Sequence, residues 1–553
     1  MKPQASAPGS RPGALRHLGK SKTAGWSSRF FQAAAALLCL VLTGCAPREP
    51  AADLVIANGK EPESLDPAII VGQADGRVVN SLFEGLTRYD PKTANPIPGL
   101  AERWEISSDG RIYTFSLRTT AAWSTGDPIT AHDLVYSWLR ILDPATAADY
   151  VGILFYVKNA EGFNTGRISD RSRVGIHALD ARTVRVELVA PTPFFLDLCA
   201  YPTLAVVPRQ TIERHGDRWL MARPLPVSGA YQLVSWRLND KIRLRKNPYY
   251  WDSANTQSEV VDLLPASAQA TVLNLYETEQ VDIVWDKDIV PTELLDILRQ
   301  RRDFHVFDYL GAYFFRYNVT RKPFDDVRVR QALALVIDKK RIVEKITKGG
   351  ERPAAHLVPP GTGNYVSPPG LGYDPERARR LLAEAGFRGG KGFPRFDYLF
   401  NSSRDHEKIG VELQEMWARE LGIHVELRSL EWKAYLQAQG ELDYDLSRSS
   451  WIGDYNDPNT FLDIFMSHNP NNRTGWRNER YDQLVRQANS LTDLPARAKL
   501  LQEAEALLVR DELPIVPLYV YVGFNFFDPE KITGIYNNIR DEHPLRAIRK
   551  IKQ

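Results

Sequence analysis

DDVRVRQALALVIDKKRIVEKI, residues 325–346, places apolar side chains at Val329, Leu333, Val336 and Ile337 behind an acidic start, the spacing and charge of a helix N-terminus. On either side of it the pattern changes. KIRLRKN (241–247) before it and HVELRSL (424–430) after it alternate apolar and polar residues, which is strand periodicity. The same alternation recurs in LVIAN (54–58), RIYTFSLR (111–118) and TVRVELV (183–189). More helices follow: DPERARRLLAEAGF (374–387), with a glycine stop at Gly386, and YDQLVRQANSLTDLPARAKLLQEAEALLVRD (481–511), two helices broken near Pro495. Strands alternating with helices predict an α/β fold, with mixed sheets flanked by helices. With 553 residues, 43% of them hydrophobic, the chain has ample material for more than one core.

The N-terminal end reads differently. Lys2, Arg11, Arg16, Lys20, Lys22 and Arg29 precede FFQAAAALLCLVL (30–42) without a single acidic residue. As a helix, that run spans about 20 Å, short of the roughly 30 Å hydrocarbon core, so residues 1–44 read as a secretion signal. The run ends in Leu42-Thr43-Gly44-Cys45, a lipobox-like sequence that marks Cys45 as the lipidation site of a membrane-anchored lipoprotein. Ala46 follows it and leaves inner or outer membrane open. Without the six leader cations the chain carries 64 basic against 68 acidic residues, which argues against nucleic acid as a partner. Cys39 leaves with the signal and Cys45 takes lipid, so Cys199, set in FFLDLCAYP, is left without an intramolecular partner and reads as a buried thiol.

Catalytic motifs are lacking. The ten histidines are dispersed, and H-E-x-x-H, C-x-x-C, G-x-S-x-G and the phosphate-loop pattern do not occur. GFRGGKGF (386–393) misses the phosphate-loop spacing and reads as a helix stop with a turn. No enzyme activity, metal or cofactor is expected. A secreted hydrolase built from dispersed residues and a signalling lipoprotein remain as rivals.

Recognition is better represented. SRSSWIGDYNDPNTF (447–461) holds Arg448 and Asp454 six residues apart, opposite charges separated by about 20 Å if extended, against roughly 10–17 Å for a tri- to pentapeptide. Taken alone, DYNDP also reads as a turn, and Asp457 before Pro458 as a helix cap. The blocks NGKEPESLDP (58–67), LFEGLTRYDP (82–91), LAERWEISSDGRIYTFSLR (100–118), WSTGDPITAHDLVYSWLRILDP (123–144), SGAYQLVSW (228–236), PFDDVRVRQALALVIDK (323–339), LFNSSRDHEK (399–408), SRSSWIGDYNDPNTFL (447–462) and LPIVPLYVYV (513–522) run in order through the chain. Together they resemble the extracytoplasmic solute-binding proteins, family 5, of peptide ABC importers.

That resemblance implies a two-lobed clamshell with an inserted domain: 46–73, 196–304 and 519–553 for lobe 1, 74–195 for the insert, and 305–518 for lobe 2. It implies a monomer that binds short peptides, serves a permease and ATPase, and sits at the membrane through its lipid. In the matching positions Asp454 meets the ligand's α-ammonium and Arg448 and His406 its carboxylate end. Ser450 and Ile452 offer main chain, Trp451 forms a pocket wall, and Glu61 and Tyr136 fall at cleft positions. A lysine of the family aligns with Thr347, with Lys348 one residue later. Murein-peptide and dipeptide receptors are the alternatives within the family; carriers of nickel or haem fit less well.

Overall fold

The computed structural model describes residues 49–285 and 289–551. The leader, Cys45 and its lipidation lie outside the described residues. Among those residues an eleven-stranded mixed sheet dominates. Three of its strands recur below: β1 (Phe304–Tyr317), β2 (Leu446–Ile452) and β3 (Ile515–Phe526). Across the sheet the order is 425–430, 396–401, β2, β1, β3, 283–285, 54–57, 260–264, 241–246 and 231–237, with 352–353 also paired to β3.

Each end of the sheet holds a parallel element. Leu54–Ala57 runs parallel to Val260–Leu264 and to Ile283–Trp285, and Phe396–Asn401 runs parallel to Val425–Leu430 and β2. The two ends are joined by β1 and β3, which are antiparallel and long enough to belong to both. The first residues of β1 pair with the end of β3, which in turn pairs with 283–285, and the last residues of β1 pair with β2. Between these stretches the ladder slips: Asp308 faces Val522 and Ala312 faces Val520, so three residues of β1 oppose Tyr521 alone. Such bulges bend a strand and break its regular pairing. A second slip falls where Pro517, which has no N–H to give, enters β3.

Separate apolar cores flank this frame. Leu54, Ile56, Tyr231, Leu244 and Val261 form one core, with Val272, Val284 and Phe524 in a neighbouring cluster. Phe315, Tyr398, Leu413 and Trp417 form another, with Phe461, Leu484 and Leu501 beside it. A four-stranded antiparallel sheet, ordered 101–106, 112–117, 183–187 and 176–178, packs with helix Ala131–Leu142 around Phe115, Trp138 and Phe195.

The strands predicted at 54, 112, 183, 241 and 425 form within a residue or two of their expected limits. The helix expected over 325–346 does not run through. It spans Val327–Leu335, and Asp338 then accepts from the Arg341 N–H, capping a separate turn that continues as a wider helix over Ile342–Thr347. A β-branched pair followed by aspartate offers the backbone a cap in place of another helical turn. The later break comes at Ser490–Asp493, where Asp493 caps Leu494–Ala506 and Pro495 lies in its first turn. Gly386 stops helix Pro375–Glu384 at φ +96°. Cys199 is fully buried among the core residues of the small sheet.

Candidate functional site

β2 has unequal edges. One pairs with β1 from Leu446 to Ile452; the other meets Phe396–Asn401 only at Leu446 and Ser447. The Arg448 carbonyl accepts from Tyr435 Oη at 2.5 Å and Gln439 Nε2 at 2.9 Å, and beyond it no described strand covers Ser449–Ile452. Ser450 and Ile452 therefore lie on a strand edge open to another backbone, and Trp451 beside them is fixed by an Nε1–H bond to Thr460 Oγ1 at 3.4 Å.

Past Ile452 the chain turns at the bulge. Gly453 donates to the Leu310 carbonyl at 2.8 Å, and a methyl on Gly311 would meet Ile452 Cδ1 at 2.6 Å, so β1 and β2 touch there without space for a side chain. Asp454 follows, its N–H held by Thr460 Oγ1 at 3.2 Å. Tyr455 then stacks on Phe194 at 4.1 Å between centroids, and Asn456 donates to Asp197 Oδ2 at 3.3 Å. Asp457 behaves as the cap the sequence suggested, accepting from the Asn459 N–H, and also takes a two-pronged ion pair from Arg497 with both contacts at 2.8 Å.

Asp454 is treated differently from these neighbours. Among the described contacts its carboxylate has neither a hydrogen bond nor an ion pair; it faces a cavity of about 320 Å³ lined by Val71, Gln73, Tyr150, Tyr201, Trp285 and Tyr309, among others. Burial pushes its pKa up to about 6, against the pull of the nearby Arg540 charge. A half-buried acid without a partner is a group kept ready for a cation.

The other end of β2 holds the opposite charge. Arg448 is 7% exposed, and its guanidinium meets only neutral groups: Asn401 Oδ1 at 3.2 Å, Tyr521 Oη at 3.1 Å, and the Tyr313 ring at 4.9 Å. No carboxylate pairs with it among the described contacts. His406 joins this group, its Nδ1 3.4 Å from Tyr313 Oη. It occupies the first turn of helix Arg404–Leu421, which Ser403 caps, Gly422 ends at φ +68°, and Ile409, Leu413, Met416 and Trp417 anchor in the core. The six sequence candidates from His406 to Asp454 thus fall along one strand edge and its two ends.

Two others do not join them. Glu61 accepts from Trp236 Nε1 at 2.5 Å and the Asn239 N–H at 2.9 Å, at the far edge of the sheet, and Tyr136 sits on helix Ala131–Leu142 with Arg209 over its ring. It is the segment just after the Glu61 motif, Ile70–Gln73, that reaches the cavity wall. Lys348 Nζ is 2.6 Å from Asp296, while Thr347 bonds Glu351. Arg540 went unnoticed in the sequence because nothing in its own stretch, NNIRDEHP, ties it to a motif 86 residues away.

Residues 95–473 match the family model of the bacterial extracellular solute-binding proteins, family 5. The chain belongs to that family, and its fold is the two-lobed binding-protein fold with an inserted domain, mixed sheets flanked by helices. The periplasmic oligopeptide-binding protein OppA of Salmonella typhimurium is 37% identical over 486 residues, 86% of this chain and 88% of that protein. Among solved structures, the Escherichia coli murein tripeptide-binding protein MppA superposes with TM-score 0.76 at 32% identity, covering 91% of this chain and 99% of that one. Haemophilus influenzae OppA in complex with RPPGFSPFR gives 0.73 at 31%, covering 91% and 100%. This is a binding protein and not an enzyme.

Proposed function

We propose that this protein is a lipid-anchored receptor that captures short peptides between its lobes and delivers them to a membrane permease. The observation that carries the reading is a pair of charges without a described counter-charge, half-buried Asp454 just past the end of a strand with a free edge and buried Arg448 near its start. A peptide offers the complement: an ammonium, a carboxylate, and between them backbone donors and acceptors that pair with an edge whatever the side chains. In this account Asp454 takes the ammonium, Arg448 with His406 the carboxylate end, and Ser450 and Ile452 the main chain.

The lobes are proposed as 46–73, 196–304 and 519–553, with 74–195 inserted, and 305–518. Closure needs a ligand that binds the closed state more tightly than the open one by touching both lobes, and the slip at Tyr309–Gly311 is a place for β1 to bend. Cys45 lipidation and a monomeric state complete the proposal; Cys45→Ala should move the protein from the membrane fraction to the soluble one. A murein tripeptide is the second reading, favoured by the likeness to MppA. Mass spectrometry of small molecules co-purifying with the protein separates the two: mixed free-amine peptides support the first reading, a single murein peptide the second, and only non-peptide molecules would refute both.

A further inference from the structure

Arg540 reaches Asp454 from the C-terminal end of the chain. Its Nη2 donates to the Asp454 carbonyl at 3.3 Å, its Nη1 lies 3.2 Å from Asp197 Oδ1, and its Nε is 3.6 Å from Glu542 Oε2. Its guanidinium lies over the Tyr89 ring at 4.3 Å. Asp197 also accepts from Asn456, two residues past Asp454, so one buried carboxylate anchors both the arginine and the loop. The Arg540 and Asp197 side chains are 9% and 5% exposed, so their mutual attraction is little screened.

We propose that Arg540 is the positioning residue of this anchor, fixing the Asp454 main chain and setting the pH range in which its carboxylate takes a free amine. This rests on the peptide reading above. Arg540 holds its charge at every physiological pH. Among the described groups around Asp454, Arg540 is the charge that favours the ionised acid against burial; Tyr150, Tyr156 and Tyr201 are neutral, and Glu542 and Asp541 also line the cavity. Arg77, on the same cavity wall, donates to the Asn58 carbonyl at 3.1 Å and lies over the Trp285 ring at 5.4 Å. Asp197 partly neutralises Arg540, so the two should act on Asp454 with opposite sign.

Calorimetry of tetra-alanine from pH 5.5 to 8.5 tests this with wild type, Arg540→Gln, Arg540→Lys, Asp197→Asn and Asp454→Asn. The wild-type affinity should fall below about pH 6 as Asp454 takes up its proton. Arg540→Gln should move that midpoint up by roughly 0.5 unit or more, Arg540→Lys should leave it in place, and Asp197→Asn should move it down. A fall by one factor at every pH in Arg540→Gln, the signature of a merely structural residue, would overturn the proposal. If Arg540→Gln does not fold, a midpoint unmoved in Asp197→Asn overturns it. Failure of the peptide reading looks different: Asp454→Asn would then bind tetra-alanine as tightly as wild type at high pH.

Discussion

Replacing Asp454 by asparagine keeps the shape of the site and removes its charge, and the structure sets the size of the response. In the complex the carboxylate would hold an ammonium in a cavity partly shielded from water, a charge-assisted contact of about 1.5–3 kcal/mol. That corresponds to a loss of roughly 10- to 150-fold in affinity, and the larger cost of an orphaned buried charge, about 3–5 kcal/mol, is an upper bound because the cavity is open to solvent. Calorimetry at pH 7.5 with a free tetrapeptide and its N-acetylated form reads this directly. Wild type should prefer the free form by at least tenfold, and Asp454→Asn should remove the preference. The same substitution should stabilise the unliganded protein. The folded acid has its pKa raised to about 6 from 3.8, so the folded state holds the proton more tightly, and stability falls as pH rises through that window. Above it, asparagine should recover about 1–2 kcal/mol after allowance for partial exposure, seen as a higher melting temperature at pH 7.5 and little change at pH 4. Equal affinity of wild type and variant for the free peptide would refute the reasoning.

Three further outcomes follow from the same geometry. Arg448→Met should weaken binding of a free-carboxylate peptide by about tenfold or more and bring it level with the C-terminal amide, measured by fluorescence titration; an undiminished preference for the free acid would place that end elsewhere. Lys348→Ala should change peptide affinity by less than about twofold, since its Nζ is held by Asp296 at the surface, and a larger loss would return the lysine to the site. Asp457→Ala leaves Arg497 buried without its partner, and should cost about 3–5 kcal/mol in a denaturant titration; a cost under 1 kcal/mol would show that Arg497 finds another partner.

Five strands and the helices at 374–387 and 481–511 could be read from period because burial on one face imposes it, as in the alternation of Thr183–Glu187; β1, β2 and β3, buried on both faces over much of their length, carry no such alternation. What period does not carry is competition between local bonds. Asp338 gives the backbone an alternative to the helix, and the apolar count across 325–346 contains no sign of it. Arg448 and Asp454, the proposed anchors, were legible as a pair because they stand six residues apart in one segment, Arg448 within β2 and Asp454 two residues past its end. For Glu61 a matching motif fixes a neighbourhood and not which side chain turns inward: its own carboxylate accepts from Trp236 and Asn239. The cavity wall formed by Tyr150, Tyr201, Trp285 and Arg540 draws on segments distant in the chain, brought together only by the packing of the cores.

The most direct test of the account is a crystal structure of the protein with a bound free-amine tetrapeptide. The peptide should lie extended along the open edge of β2, its ammonium within about 3 Å of the Asp454 carboxylate and its carboxylate end beside Arg448. A peptide bound with its ammonium away from Asp454, and no main-chain contact to Ser450 or Ile452, would contradict it.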